Sequence, residues 1–195
     1  MGKGRLEAFS DGVLAIVITI MVLELVAPHE PTLDALVPLW PIFLSYVLSF
    51  WNLAIWWNNH HHLLQAAHRV NGRILWANIH LLFWLSLVPF TTAWMGETGF
   101  APLPTAIYGA DLLAAAIAYY LLVRTLVASE GAESVLAQAL GRNAKGAVSG
   151  LLYAAGVAIA FVVPYLALAL YAFVAAIWFI PDLRIERRIG DVTNR

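Results

Sequence analysis

Between Arg5 and Glu24 the chain passes from a charged helical turn into about three turns that are almost wholly apolar, and an aspartate, Asp11, stands at the transition. A membrane helix seldom accepts an ionised Asp in its first turns unless the protein supplies a partner, so Asp11 is a functional candidate by default. Comparable apolar runs recur along the chain. Hydrophobic residues make up 62% of it and charged residues 12%, against about 45–50% and about 25% in a soluble domain. This is the composition of a membrane protein.

A helical span needs about 20 mostly apolar residues. The hydropathy pattern predicts an all-α membrane protein with six such spans, over about 6–26, 39–64, 74–94, 105–127, 147–163 and 165–181, and one domain covering residues 1–195. Pro28 and Pro31 should stop the first helix, and Pro89 can kink the third. The run from Ala147 to Ile180 is too long for one span, and Pro164 should break it in a tight turn at Val163-Pro164-Tyr165. The alternative is one kinked helix with a re-entrant piece. There is no cysteine, hence no disulfide framework and no thiolate site. Glu7 and Asp11 interrupt what would be a basic leader, so the first helix is expected to be retained.

Charge is segregated. Lys3, Arg5, Arg69, Arg73, Arg124, Arg142, Lys145, Arg184, Arg187, Arg188 and Arg195 all fall in the termini, in the even-numbered connectors or, for Arg124, in the last turn leading into one. The odd-numbered connectors hold only His29, Glu30, Asp34 and Glu97. Positive residues favour the cytoplasmic side, which predicts both termini there and an even number of spans. Trp40, Trp94, Tyr165 and Trp178 suit interfacial anchors. Arg184, Arg187 and Arg188 are placed to meet lipid head groups or simply to form a solvated tail.

With 100° per residue, Ile16, Thr19, Ile20 and Leu23 fall at about 0°, 300°, 40° and 340° and share one face of the first helix. Ser10 and Asp11 lie about 120° and 140° away from Ile16. If several copies met around an axis, the stripe would line it and the polar pair would be buried against neighbouring helices. An aliphatic stripe can equally face lipid or another helix, and Thr19 can bond its hydroxyl to the carbonyl one turn earlier.

Arg5…Phe9-Ser10-Asp11 followed by Gly12-Val-x-Ala-Ile16-x-Ile-Thr19 resembles the first-helix signature R-x-x-x-F-S-D of the lysosomal potassium channel family called transmembrane protein 175, including its prokaryotic six-span members. Trp57-x-Asn59-His60-His61, Asn78, Pro89-Phe90 and Trp178-Phe-Ile-Pro181-Asp182 are weaker matches. The resemblance implies a homotetramer in the bacterial plasma membrane, its pore lined by the first helix of each subunit. It further implies a constriction at Ile16, Ile20 and Leu23 and a selectivity layer at Thr19. Arg5, Phe9, Ser10 and Asp11 would join a hydrogen-bonded network with polar residues of helices two and three, drawn from Trp57, Asn58, Asn59, His60, His61 and Asn78. The vertebrate members carry two copies of the repeat in one chain; this sequence has one, and so should need four subunits.

No segment resembles the carbonyl filter T-V-G-Y-G, and a narrow aliphatic ring can gate by dewetting. Thr19 hydroxyls would offer ligands of moderate field strength to partly dehydrated potassium. Glu24, about 80° from Ile16, could edge the outer mouth and concentrate cations. The implied function is a potassium-selective leak channel, with other monovalent cations and protons as further candidate permeants. The other expected partners are membrane lipids; no cofactor, enzyme activity or nucleic-acid partner is expected. The run His60-His61-His62, with His68 and His80, invites a metal reading, but consecutive His residues diverge and no acid lies near in sequence. His60 or His61 paired with Asp11 or Ser10 is the better use, and would lend the network a pH response. Two rival functions remain: an ion-coupled secondary transporter, hinted at by Pro89 and Pro164, and a membrane-embedded enzyme, for which Asp11 and His60 are the only pair.

Overall fold

A computed structural model describes residues 2–67, 70–131 and 144–179. His68, Arg69, Arg142, the Pro181-Asp182 match, Arg184, Arg187, Arg188, Arg195 and the expected end of the last span lie outside the described residues. The protein is all-helical there. Among the described residues six α-helices follow one another: α1 Lys3–Ile20, α2 Trp40–Gln65, α3 Gly72–Glu97, α4 Pro102–Glu130, α5 Ala144–Ala160 and α6 Pro164–Phe179. Short 3₁₀ turns at Met21–Glu24 and Asp34–Leu39 flank the first connection.

Four stretches are long and apolar enough to cross a membrane: Lys3–Glu24, Asp34–Gln65, Gly72–Glu97 and Pro102–Glu130. The apolar helices α5 and α6 have 17 and 16 residues. They form a hairpin whose break lies at 161–163, one residue or two earlier than the turn expected at Val163-Pro164-Tyr165. Val163 accepts from Leu166 and Ala167 at 3.0 and 3.3 Å, and Pro164 opens α6, where a missing N–H costs nothing.

The first helix also differs from expectation. Its α form stops at Ile20, and Met21–Glu24 winds as 3₁₀ rather than continuing to 26. Thr19 Oγ1 donates to the carbonyls of Ala15 and Ile16 at 2.9 and 3.0 Å, competing with the helical ladder just where it loosens. Pro89, by contrast, does not interrupt α3, which runs on to Glu97.

In the bundle α4 is central, packed on α3, α5 and α6, whereas among the described residues α1 packs chiefly on α2 and α3. The inner face of α1, Leu6, Leu14, Val17 and Met21, is fully buried. At one end of the bundle Phe100 adopts φ 64 after Gly99 at φ 60, and its amide donates to Met95 at 3.0 Å, closing α3 in a Schellman-type turn. The strain is offset by burial, since Phe100 packs on Trp40 and Tyr165, joining the starts of α2 and α6. At the other end Asn71 caps α3, its Oδ1 accepting from the amides of Arg73 and Ile74 at 3.0 and 3.1 Å.

Tyr171 of α6 sits in a notch made by two glycines, Gly109 of α4 and Gly156 of α5, where a Cβ on either would run into its ring. A Cβ on Gly150 of α5 meets nothing within 4 Å. Gly109→Ala and Gly156→Ala should therefore each lower stability by about 1–3 kcal/mol through overpacking. Gly150→Ala should be neutral or slightly stabilising by helix propensity. Thermal unfolding of the purified variants checks this; equal loss in all three would contradict the notch.

Candidate pore-lining face and the network that orients it

Ser10 is completely buried on α1, and its hydroxyl donates to the Leu6 carbonyl at 2.8 Å. Its one hydrogen is thereby used, so the oxygen can only accept from its other neighbour. That neighbour is Asn78 of α3, whose Nδ2 donates to Ser10 Oγ at 2.9 Å. The amide orientation follows: Asn78 Oδ1 faces His60 of α2, 2.7 Å from its Nε2. The acceptor there makes His60 Nε2 the protonated ring nitrogen. One chain of directed hydrogen bonds thus ties α1 to α3 and α2 at a buried point.

A second tie lies nearby. Asp11 Oδ1 accepts from Trp57 Nε1 at 3.0 Å, and the Trp57 ring stacks on His61 at 5.6 Å. His61 Nε2 is 2.8 Å from Gln65 Nε2, while Lys3 Nζ donates to the Gln65 carbonyl at 3.0 Å and stands 3.7 Å from Glu7. The first turns of α1 are thereby fastened to the end of α2.

Three residues expected in this network are elsewhere. Arg5 and Phe9 lie on the exposed face of α1, and the Arg5 guanidinium has no partner among the described residues. Their helical angle, about 20° from Ile16, takes them to that side. Asn59 points away from α1: its Nδ2 donates to Ile55 at 2.8 Å, and its carbonyl accepts from Tyr119 of α4. Asn58 is half-buried beside it on α2. Among the described residues no three His, Asp or Glu side chains converge as metal ligands.

Held this way, α1 turns a continuous stripe away from its own bundle. Ile16 is 62% exposed, Ile20 39% and Leu23 74%, whereas Leu14, Val17 and Met21 behind them are at most 4%. Thr19 is exposed on the same side. Because its hydrogen is spent on the helix carbonyls, its oxygen lone pairs are what it offers outward. The 3₁₀ turn winds by about 120° per residue, which stacks Leu23 above Ile20 and carries the exposed Glu24 farther round than α winding would.

Sequence reasoning passed over one intramembrane acid. Asp111 of α4 is 5% exposed; its Oδ2 is 3.2 Å from Thr91 Oγ1, whose hydrogen is shared with the Val88 carbonyl. Its Oδ1 has no partner among the described residues. Beside it Thr92 donates to Ser49 at 2.7 Å, and Ser49 to Tyr108 at 3.0 Å, linking α2, α3 and α4. The rule that drew notice to Asp11, a charge inside an apolar run, applied equally to Asp111.

The chain is similar to known proteins. A family described as the endosomal/lysosomal potassium channel TMEM175 matches residues 5–89. A potassium channel of Chryseobacterium sp. (strain P1-3) is 52% identical over 191 residues, which is 98% of this chain and 100% of that one. A potassium channel of Chamaesiphon minutus is 32% identical over 191 residues, covering 90% and 92%. The crystal structure of a lysosomal potassium-selective channel TMEM175 homolog from Chamaesiphon minutus superposes with a TM-score of 0.80 at 27% identity, over 92% of this chain and 97% of that one.

Because Asn78 bridges two buried groups, Asn78→Ala should leave both Ser10 and His60 unsatisfied and cost about 1–3 kcal/mol or more. Removal of the exposed Trp57–Asp11 bond in Trp57→Phe should cost less, about 0.5–1.5 kcal/mol. Denaturation of the two variants in the same detergent compares them, and a smaller loss for Asn78→Ala would refute the ranking.

Proposed function

This chain belongs to the TMEM175 family of potassium channels, and from that premise we propose that four copies assemble around an axis lined by α1, through which potassium passes down its gradient. The observation that carries this reading is the bare stripe of α1. A helix that among the described residues packs chiefly on α2 and α3, with its aliphatic side and the Thr19 hydroxyl oxygen facing outward, supports sharing among subunits.

In such an assembly Ile16, Ile20 and Leu23 form stacked aliphatic rings. A narrow ring of this kind offers nothing in place of an ion's water, so it opens when it widens enough to wet. Thr19 lies between Ile16 and Ile20 and supplies the one oxygen at that depth from each subunit. A neutral hydroxyl repays part of the dehydration cost of potassium and less of the larger cost of sodium. The buried Ser10–Asn78–His60 bonds set the rotation of α1 on which this lining depends. By the positive-inside rule both termini lie in the cytoplasm, so the stripe's Leu23 end is the outer one. A transporter would be expected to unwind a helix near mid-membrane; α3 passes through Pro89 unbroken, which favours the channel.

The test is passive flux in liposomes under a potassium gradient, repeated with sodium. Potassium should move clearly faster and without a second ion; strict coupling to another ion would overturn the channel reading. Ile20→Asn should wet the constriction and raise the flux several-fold, and unchanged flux from a folded variant would remove Ile20 from the pore. Thr19→Val should bring the potassium-to-sodium ratio towards unity while Thr19→Ser keeps it; full selectivity in Thr19→Val would take Thr19 out of the selectivity layer.

A further inference from the structure

Away from α1, a cavity of about 360 Å³ opens between α2, α4, α5 and α6. Its walls are mostly hydrocarbon and aromatic, with Trp56, Ile117, Tyr120, Gly150, Tyr153 and Trp178 among them. The lining positions lie at the middle of α4, in the second half of α2, in the first half of α5 and near the finish of α6, so the cavity reaches from mid-bundle towards the end where α2, α4 and α6 finish and α5 begins. Two cations stand at that end, each against an aromatic that lines the cavity. Arg124 lies 5.7 Å over the Tyr120 ring and donates to its hydroxyl at 2.9 Å. Lys145 Nζ lies 4.7 Å over the Trp178 ring, whose Nε1 donates to Ser149 at 2.8 Å. Ile117 and Tyr120 of the lining, and Leu121, Val148 and Leu151 near them in sequence, are exposed on the single subunit.

We propose that this is a binding site for an anionic phospholipid, with an acyl chain in the cavity and the phosphate held by Arg124 and Lys145. An apolar void within the depth of the membrane fills with chain rather than water, because water needs several polar partners. Two cations at the head-group level attract an anionic lipid in preference to a neutral one. The cation–π seats hold both side chains against the cavity wall, so that charge and cavity form one site. The inference rests on the membrane-spanning reading and not on the pore assignment, and its readout is lipid rather than flux.

Gly150 supplies the decisive variant. Gly150 lines the cavity and a Cβ there meets nothing within 4 Å, so Gly150→Phe puts a ring in the space the acyl chain would take. Purified protein should be loaded with phosphatidylglycerol or phosphatidylcholine and its retained lipid counted by native mass spectrometry. Wild type should retain phosphatidylglycerol in preference; Gly150→Phe should lose most of it at unchanged subunit assembly. The double variant Arg124→Gln/Lys145→Gln, which leaves the cavity intact, should lose the preference and hold the two lipids alike. Equal retention of both lipids by wild type, full retention by Gly150→Phe, or a preference that survives in the double variant would each overturn the site. If Gly150→Phe does not assemble, the double variant alone decides.

Discussion

The hydrogen bonds through Asn78 are what the rest of the arrangement depends on. Three helices with little but aliphatic surface between them can rotate against one another at small cost, since lipid offers the same contacts as protein. A buried amide with one donor and one acceptor committed removes that freedom. Ser10 cannot turn, because its hydrogen is already given to Leu6; Asn78 cannot flip, because Ser10 needs its Nδ2. A rotation of α1 by a single residue, about 100°, would break the Asn78–Ser10 bond and carry Ile16 and Ile20 off the outward side.

The outward face then follows from what the network leaves over. The side of α1 that meets α2 and α3 is closed by Leu6, Ser10, Leu14, Val17 and Met21. What remains is a stripe beginning at Arg5 and Phe9 and ending at Leu23, bare in the single subunit. An isolated membrane bundle would cover such a side with lipid. Family membership, together with the outward-facing Thr19 oxygen, favours covering it with further copies of the same helix.

Much of this was legible in the sequence, because membrane helices announce themselves by length and composition. The angular phase of Ile16, Thr19 and Ile20 against Ser10 needed only the helical period. Within the single subunit, contiguity in sequence is not contiguity in space. Arg5 and Phe9 belong to the same signature as Ser10 and Asp11, yet the period places them on another face. Asn59 adjoins His60 in the chain but lies about 100° round the helix, where it lines the cavity shared with α4. The early change from α to 3₁₀ at Met21 depends on the hydroxyl of Thr19 competing for two carbonyls, which no hydropathy pattern records. Asp111 was legible as a charge inside an apolar run and was passed over, whereas the lipid-sized cavity exists only once four helices are placed side by side.

The central claim is that the bare side of α1 lines the conduction path, and the absence of native cysteine makes it directly accessible. Flux should be measured in liposomes for Leu23→Cys and, as a control on the exposed side of α2, Val47→Cys, before and after adding cadmium ions. Thiolates from several subunits converging on an axis bind such a soft metal tightly. The account predicts that cadmium blocks the Leu23→Cys channel and leaves Val47→Cys untouched. Equal sensitivity of both, or an unblocked Leu23→Cys channel that conducts as wild type does, would contradict it.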